Sequence, residues 1–254
     1  MFKTLSPGSQ VILFIFIVIM MSIVGEIFFA LGLSVIVDRE LLLQSDWGDV
    51  RMMMSRTLFA QVFTFLIAFL LFLRLTKEKF SSIVFIQSLK VRPILITIGV
   101  LGAGLLAMPI LEMINEPLRH LLPSGFLEKE MATNAVQERI FYSDDPIQFG
   151  FVMIVMAVLP AICEELVFRG FLIKKMMSSG MAETGAIFMS AALFAISHMQ
   201  PLKFLPMFFM GICLGFVYMR FKNIKYSMLL HFLFNGIQIT IAFLIASDVL
   251  DFEF

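Results

Sequence analysis

The second half of the chain carries ionisable and amide residues inside otherwise apolar stretches. An ionisable group in a membrane span costs roughly 2.5–3.5 kcal/mol on insertion scales, so such residues usually have a function. The carboxylates, imidazoles and amide found here are the groups that activate water and stabilise an oxyanion. In chain order, the candidate catalytic residues are Glu164, Glu165, Arg169, His198, His231 and Asn235.

Helical spacing groups these residues into pairs. Glu165 and Arg169 are i,i+4 neighbours with the acid N-terminal to the base, which favours an ion pair and lowers the cost of burying both charges. Glu164 lies about 100° further round the helix and can face another neighbour. His231 and Asn235 are also i,i+4, so their polar groups can face the same cavity.

These residue types indicate hydrolysis of an acyl bond. A carboxylate in apolar surroundings can act as a general base near neutral pH, so Glu164 with His198 can deprotonate a water held between them. His231 and Asn235 can donate hydrogen bonds to the oxyanion of a tetrahedral intermediate. A single intramembrane histidine or asparagine is often only a polar contact between helices, and a purely structural role remains the alternative.

Composition indicates the elements that must hold these residues. Hydrophobic residues make up 60% of the chain and the mean hydropathy is +0.96, above the roughly 45–50% of soluble domains. Because backbone groups cannot stay unpaired in hydrocarbon, the sequence predicts an all-α, polytopic transmembrane helix bundle of about seven spans. The predicted spans are Val11–Val37, Leu58–Leu73, Ile94–Ile114, Ile147–Ile173, Ala182–Met199, Phe204–Phe221 and Ile224–Ala246.

The chain divides into three predicted parts. Residues 1–146 contain the N-terminal helices and an interfacial segment, residues 147–246 form a catalytic core of four helices, and residues 247–254 form a short acidic tail. The polar stretch Asn115–Pro146 is either a short amphipathic helix or lid at the interface, or an ordinary connecting loop. Both cysteines, Cys163 and Cys213, lie in apolar runs and read as small buried hydrophobes.

Charge predicts the partners and the orientation. The net charge is zero, which argues against a nucleic-acid partner and leaves the lipid bilayer and a peptide or protein substrate. Lys and Arg are more numerous on the side of the N-terminus, which predicts a cytoplasmic N-terminus and an outer C-terminus. We expect a bacterial inner (plasma) membrane from the compact, tail-free chain.

This topology places His198 near the outer end of its span, whereas Glu164 and His231 lie about 10 Å from the cytoplasmic face. For these residues to meet, the turn after His198 must be sunk into the membrane or its helix must begin late. Gly211 and Gly215 have the small-x-x-x-small spacing that would let the next helix pack closely enough to bury this hairpin.

The three motifs resemble those of the CAAX-protease and bacteriocin-processing family, also called Abi or CPBP intramembrane proteases. They are Glu164-Glu165-x-x-x-Arg169, Phe194-x-x-x-His198 and His231-x-x-x-Asn235, and the resemblance covers about Phe149 to Ile239. It implies that Glu164 activates water with His198, that Glu165 and Arg169 support the site, and that His231 and Asn235 stabilise the oxyanion.

The resemblance implies an intramembrane endopeptidase whose substrates are prenylated-like C-terminal peptides, bacteriocin precursors or membrane-embedded segments. Two His and two Glu can in principle bind zinc, but the spacing of a zinc protease motif is missing, so a metal-free mechanism is favoured. The alternatives are a transporter or channel that uses the same polar groups, and a non-enzymatic immunity or scaffold protein. Against transport, no inverted repeat is visible in the sequence.

Overall fold

The computed structural model describes residues 5–36 and 48–250, and its regular structure there is helical throughout. The predicted boundary residue Val37, the N-terminal Lys3 and residues 251–254 of the predicted acidic tail lie outside these ranges. The α-helices are, in chain order, α1 (Pro7–Ile36), α2 (Gly48–Ala60), α3 (Ala68–Thr76), α4 (Phe80–Ile83), α5 (Val91–Asn115), α6 (Ser124–Phe141), α7 (Pro146–Met153), α8 (Leu159–Glu165), α9 (Lys174–Ser178), α10 (Glu183–Ser197), α11 (Phe204–Phe221) and α12 (Ile224–Ala246).

Three π-helical segments and two 3-10 segments join some of these helices into longer rods. The π-helical segment Gln61–Ile67 connects α2 to α3, and Ile154–Val158 and Leu166–Ile173 flank α8. The 3-10 segments are Glu116–Leu121 after α5 and Pro201–Lys203 before α11. The π-helical segments matter for the site, because such interruptions often occur where a helix carries functional residues.

Among the described residues, six helical stretches are long and apolar enough to cross a membrane. They are Pro7–Gly32, Met52–Thr76, Val91–Leu121, Pro146–Ser178, Pro201–Phe221 and Ile224–Ala246. The fifth predicted span is instead the 15-residue helix α10, which at 1.5 Å per residue is shorter than a hydrocarbon core of about 30 Å. The all-α transmembrane bundle is confirmed, and the protein is an integral membrane protein.

The stretch Pro146–Ser178 lies at the centre of the bundle. Its most apolar window is 61% buried, whereas that of the first stretch, Pro7–Gly32, is 17% buried. Phe171 in the central stretch packs against Phe14 of α1 and Phe72 of α3, with ring centroids 4.3 and 4.5 Å apart. The central stretch therefore carries the predicted Glu and Arg residues away from lipid.

Polar contacts mark the two ends of the bundle. One end, called here the lysine-rich end, carries Lys77, Lys90, Lys174, Lys175 and Lys222. There, Lys175 pairs with Glu78, and Tyr226 at the start of α12 accepts a hydrogen bond from the backbone of Lys90 at 2.8 Å. The cellular orientation of this end stays a prediction.

The opposite end of the bundle is covered by α6, which forms part of the polar stretch Asn115–Pro146. This stretch is helical over most of its length. Lys203, before α11, donates from Nζ to Asn134 Oδ1 (2.9 Å) and Gln137 Oε1 (3.4 Å) on α6. Asn115 joins the same end by donating to the carbonyl of Pro201 at 3.0 Å. The segment is therefore largely helical and packed on the bundle, and its place at the membrane interface stays a prediction.

Close packing of α10 against α11 explains how His198 reaches the interior. A Cβ added to Gly211 would lie 2.8 Å from the Cα of Ala191, and one added to Gly215 would lie 2.9 Å from Ile187. Only glycine at these positions permits this approach. As the Gly spacing predicts, α11 packs closely on the short α10, and His198 follows directly after the last residue of α10.

Candidate active site

A cavity of about 440 Å³ opens between the central stretch and its neighbours. Its wall includes four of the predicted site residues, namely Glu164, His198, His231 and Asn235. Helices α8, α10 and α12 supply them. The structure therefore brings together residues that are separated by up to 71 positions in the sequence. Glu165 and Arg169 lie fully buried behind this wall.

Glu164 is held by a residue that the sequence analysis did not select. Gln61 donates from Nε2 to Glu164 Oε1 at 2.7 Å, and both side chains are buried. The other carboxylate oxygen, Oε2, is also buried and has no hydrogen-bond partner among the described residues. One oxygen of Glu164 is thus fixed, and the other remains an open acceptor.

Glu165 forms the buried ion pair that its spacing predicts. Arg169 Nη1 lies 2.6 Å from Glu165 Oε1, and neither side chain is exposed. Arg169 also donates from Nη2 to the backbone carbonyl of Gly211 at 3.0 Å, which ties the central stretch to α11. The guanidinium carbon lies 4.8 Å from the ring centroid of Phe194, a cation–π distance. Arg169 therefore contacts groups from three helical stretches.

His231 lies between the two carboxylates. Its Nδ1 is 3.0 Å from Glu165 Oε1, and its Nε2 is 4.0 Å from Glu164 Oε2. Because an ionised carboxylate only accepts hydrogen bonds, Nδ1 must carry the proton in the first contact. Glu165 therefore fixes the ring orientation of His231 and points Nε2 towards Glu164.

His198 lies on the cavity wall at the C-terminal end of α10. Its Nδ1 is 2.8 Å from the backbone carbonyl of Phe194, which can only accept, so Nδ1 is again the donor. In the neutral ring this leaves Nε2 with a lone pair. The Phe194 ring lies edge-on to both imidazoles, with centroids 4.8 Å from His198 and 5.8 Å from His231. Phe194 thus contacts both histidines.

Asn235 hydrogen-bonds a backbone carbonyl of the neighbouring central stretch. Pro160 has no N–H, so the carbonyl of Met156, four residues earlier, loses its usual helical partner. Asn235 donates from Nδ2 to that carbonyl at 3.0 Å. One N–H of the amide remains for a ligand in the cavity. Pro160 therefore positions Asn235 as well as interrupting the helix that carries Glu164.

Other ionisable residues lie both on the cavity wall and away from it. Glu26 pairs with Arg56 at 3.0 Å, and both side chains are about half exposed, away from the cavity. Glu112 and Lys203 lie on the cavity wall. His120 is exposed on the 3-10 segment after α5, as expected for a solvated residue.

Gln61 was missed because a single glutamine in an apolar span gives a weak signal, and its partner is 103 positions away. The available signal was the presence of an amide in the middle of a predicted span, Leu58–Leu73.

The next feature is the set of side chains that could bind a metal ion. Within residues 5–36 and 48–250, no group of three or more His, Cys, Asp or Glu side chains is placed to hold a metal ion. Glu165, one of the two candidate carboxylate ligands, has its Oε1 engaged by Arg169 and His231. A mechanism without metal stays a prediction.

The comparisons with known proteins agree with the motifs. Residues 146–237 match a family described as Rce1-like, type II CAAX prenyl endopeptidase. The match covers just over a third of the chain and includes all six predicted site residues. Comparison with curated proteins found no match, and comparison with solved structures found none either. The resemblance seen in the sequence is confirmed for this region, and Gln61 lies outside it.

Proposed function

Residues 146–237 of this integral membrane protein are Rce1-like, and on that basis we propose that the chain is an intramembrane endopeptidase in which Glu164 activates water. The observation that carries the proposal is the open oxygen of Glu164, buried on the wall of a cavity that also holds two histidines and an asparagine. These are the groups that hydrolysis of a peptide bond needs.

The water has a defined place in this mechanism. Glu164 Oε2 and His231 Nε2 are 4.0 Å apart, too far for a direct hydrogen bond. A water about 2.8 Å from each would make an angle of about 90° between them, which is within reach of hydrogen bonding. In this proposal His198 Nε2, which has a lone pair in the neutral ring, accepts a second hydrogen bond from this water.

Hydrolysis then proceeds in two proton-balanced steps. Glu164 takes one proton from the water as its oxygen attacks the scissile carbonyl carbon, and the carbonyl π electrons move to oxygen. Asn235 donates its remaining N–H to this oxyanion, and His231 donates through Nε2 in the protonated form of its ring. When the intermediate collapses, the C–N bond breaks and Glu164 returns the proton to the leaving nitrogen.

Glu165 and Arg169 have supporting roles in this proposal. Neither lies on the cavity wall, so neither contacts the substrate directly. Glu165 orients His231 through Nδ1, and Arg169 compensates the charge of Glu165 in a region without water. Breaking a buried pair by removing one partner is strongly destabilising, so both residues preserve the geometry of the site.

The substrate we propose is a peptide or protein segment that reaches the cavity from the membrane. A prenylated C-terminal CAAX peptide is the first to test, because the matched family is described as a prenyl endopeptidase. Bacteriocin precursors and unmodified membrane segments are the other substrate classes. We also propose that the lysine-rich end faces the cytoplasm of a bacterial cell, since Lys and Arg accumulate on that side.

The test uses the full-length protein in proteoliposomes and quenched peptides with and without a C-terminal prenylated CAAX sequence. We expect wild type to cleave, with Glu164→Gln and His198→Ala at least about 100-fold slower. Glu26→Gln is the matched control, because Glu26 is also a carboxylate in a span but lies outside the cavity. A metal chelator should leave cleavage unchanged.

Other outcomes would contradict the proposal. Cleavage that survives Glu164→Gln would remove Glu164 as the base. If a chelator abolishes cleavage and zinc restores it, Glu164, His198 and His231 would be assigned as metal ligands instead. Binding of peptides without cleavage of any class would favour the scaffold or immunity alternative.

A further inference from the structure

Gln61 comes from a part of the chain that the family match does not cover. It begins the π-helical segment Gln61–Ile67 in the second membrane stretch, which packs directly against α8, the helix that carries Glu164. Although it lies outside residues 146–237, Gln61 donates a side-chain hydrogen bond to a candidate catalytic group. The site is therefore incomplete without the N-terminal half of the chain.

A glutamine in an apolar span has a simpler way to satisfy its amide. Gln238 shows it, since its Nε2 donates to the carbonyl of Phe234 one turn earlier in its own helix, at 3.0 Å. Gln61 instead reaches across the helix interface to Glu164 at 2.7 Å, the short distance expected of a hydrogen bond to an ionised acceptor. The direction of this bond is certain chemically, because a carboxylate cannot donate.

The second atom of the Gln61 amide strengthens the assignment. Gln61 Oε1 and Glu164 Oε2 are both buried, and neither has a hydrogen-bond partner within residues 5–36 and 48–250. Both residues line the cavity. The 2.7 Å hydrogen bond joins the other polar atom of each side chain, Gln61 Nε2 and Glu164 Oε1. Because both residues line the cavity, water molecules held there can donate to these two unpartnered acceptors. Buried acceptors in native proteins generally have such partners.

We propose that Gln61 is a positioning residue of this active site: its Nε2–H holds the Glu164 carboxylate so that Oε2 faces the attacking water. This inference rests on the function proposed above and adds a residue from the second membrane stretch to it. Without the bond, the carboxylate rotates about its terminal torsion, for which broad ranges are accessible. A misplacement of about 1 Å can cost about 100-fold in rate, without a loss of substrate binding.

The kinetic test compares Gln61→Met with Gln10→Met in full-length protein. Gln10 is the matched control because it is also a buried glutamine in a span with an unpartnered Oε1, but it lies outside the cavity and bonds to the carbonyl of Leu5. We expect Gln61→Met to lower kcat by about 10- to 100-fold and to change KM less than about twofold. Gln10→Met should leave both unchanged.

A double-mutant cycle shows whether Gln61 acts through Glu164. In a Glu164→Gln background, Gln61→Met should cause no further loss of the residual rate, because the group that it positions is already gone. A residue that only stabilises the fold would cause the same loss in both backgrounds. Gln61→Asn, whose side chain is one methylene too short to reach Glu164, should lower kcat like Gln61→Met and serves if Gln61→Met fails to fold.

A spectroscopic readout separates this inference from the proposed activity. The infrared difference between wild type and Glu164→Gln isolates the carboxylate stretch of Glu164. We expect that band to shift when Gln61 is replaced by Met or Asn and to stay in place for Gln10→Met. An unshifted band would overturn the inference even if cleavage falls. A shifted band in a protein that cleaves no peptide would support the contact and contradict only the proposed function.

Discussion

The buried pair of Arg169 and Glu165 makes a sharp prediction about stability. Arg169→Met removes the cation that lies 2.6 Å from Glu165 and leaves the carboxylate buried with only His231 and Ser227 beside it, neither of which carries a fixed charge. It also removes the hydrogen bond to the Gly211 carbonyl. We expect this single change to cost more than the loss of any other ion pair described here, because neither side chain is exposed.

The magnitude follows from the burial. Removing one partner of a buried pair typically costs about 3–5 kcal/mol, because the other charge remains in a medium of low dielectric constant. Replacing both Arg169 and Glu165 by Met leaves no unpaired charge, and such replacements are often close to neutral. Here, His231 Nδ1 and the Gly211 carbonyl would still lose their partners. We therefore expect a coupling of about 2–3 kcal/mol between the two sites.

The assay is reversible unfolding in mixed detergent micelles for wild type, the two single variants and the double variant. The control cycle uses Glu26 and Arg56, a pair with a similar 3.0 Å contact but 50% and 62% exposed side chains. Its coupling should stay below about 1 kcal/mol. Additive effects of Arg169→Met and Glu165→Met would refute the assignment of a buried, mutually dependent pair.

Three further predictions concern packing around the site. Gly211→Ala should lower the free energy of unfolding by about 1–3 kcal/mol, because the new Cβ would meet backbone atoms of α10. Gly102→Ala is the control, because the space around Gly102 is open, and its unfolding curve should match that of wild type. Asn235→Leu should cost about 1–3 kcal/mol by leaving the carbonyl freed by the proline unpaired, and Pro160→Ala in that background should recover part of it by restoring an N–H. Lys203→Met should loosen α6, and we expect faster hydrogen exchange at 124–141 with unchanged exchange in α12.

The membrane-spanning architecture could be predicted because hydrocarbon imposes a simple rule on the backbone. The predicted bounds of Phe204–Phe221 and Ile224–Ala246 coincide with α11 and α12. The length of the apolar run was misleading for the predicted span Ala182–Met199, because the helix there, α10, has only 15 residues. Turn residues and apolar runs alone do not show how deep a hairpin lies, since that depends on packing at glycines such as Gly211.

The candidate catalytic residues could be selected from the sequence because several of them are paired at helical spacing. The ion pair of Glu165 and Arg169 needed only the i,i+4 rule. In contrast, the Gln61 contact depends on how two distant stretches pack, and no local pattern encodes it. The hydrogen bond of Asn235 could be predicted in part. Pro160 indicates that a helix carbonyl lacks its usual N–H donor, but not which residue donates to it instead.

The central claim is that Glu164 activates the water that cleaves a peptide bond in the membrane. The most direct measurement is single-turnover cleavage of a prenylated CAAX peptide in proteoliposomes by wild type and Glu164→Gln, with product masses recorded in ¹⁸O-labelled water. We expect wild type to give two fragments with ¹⁸O in the new carboxyl group, and Glu164→Gln to bind the peptide but release labelled product at least about 100-fold more slowly. Labelled product formed at the same rate by both proteins would contradict the account.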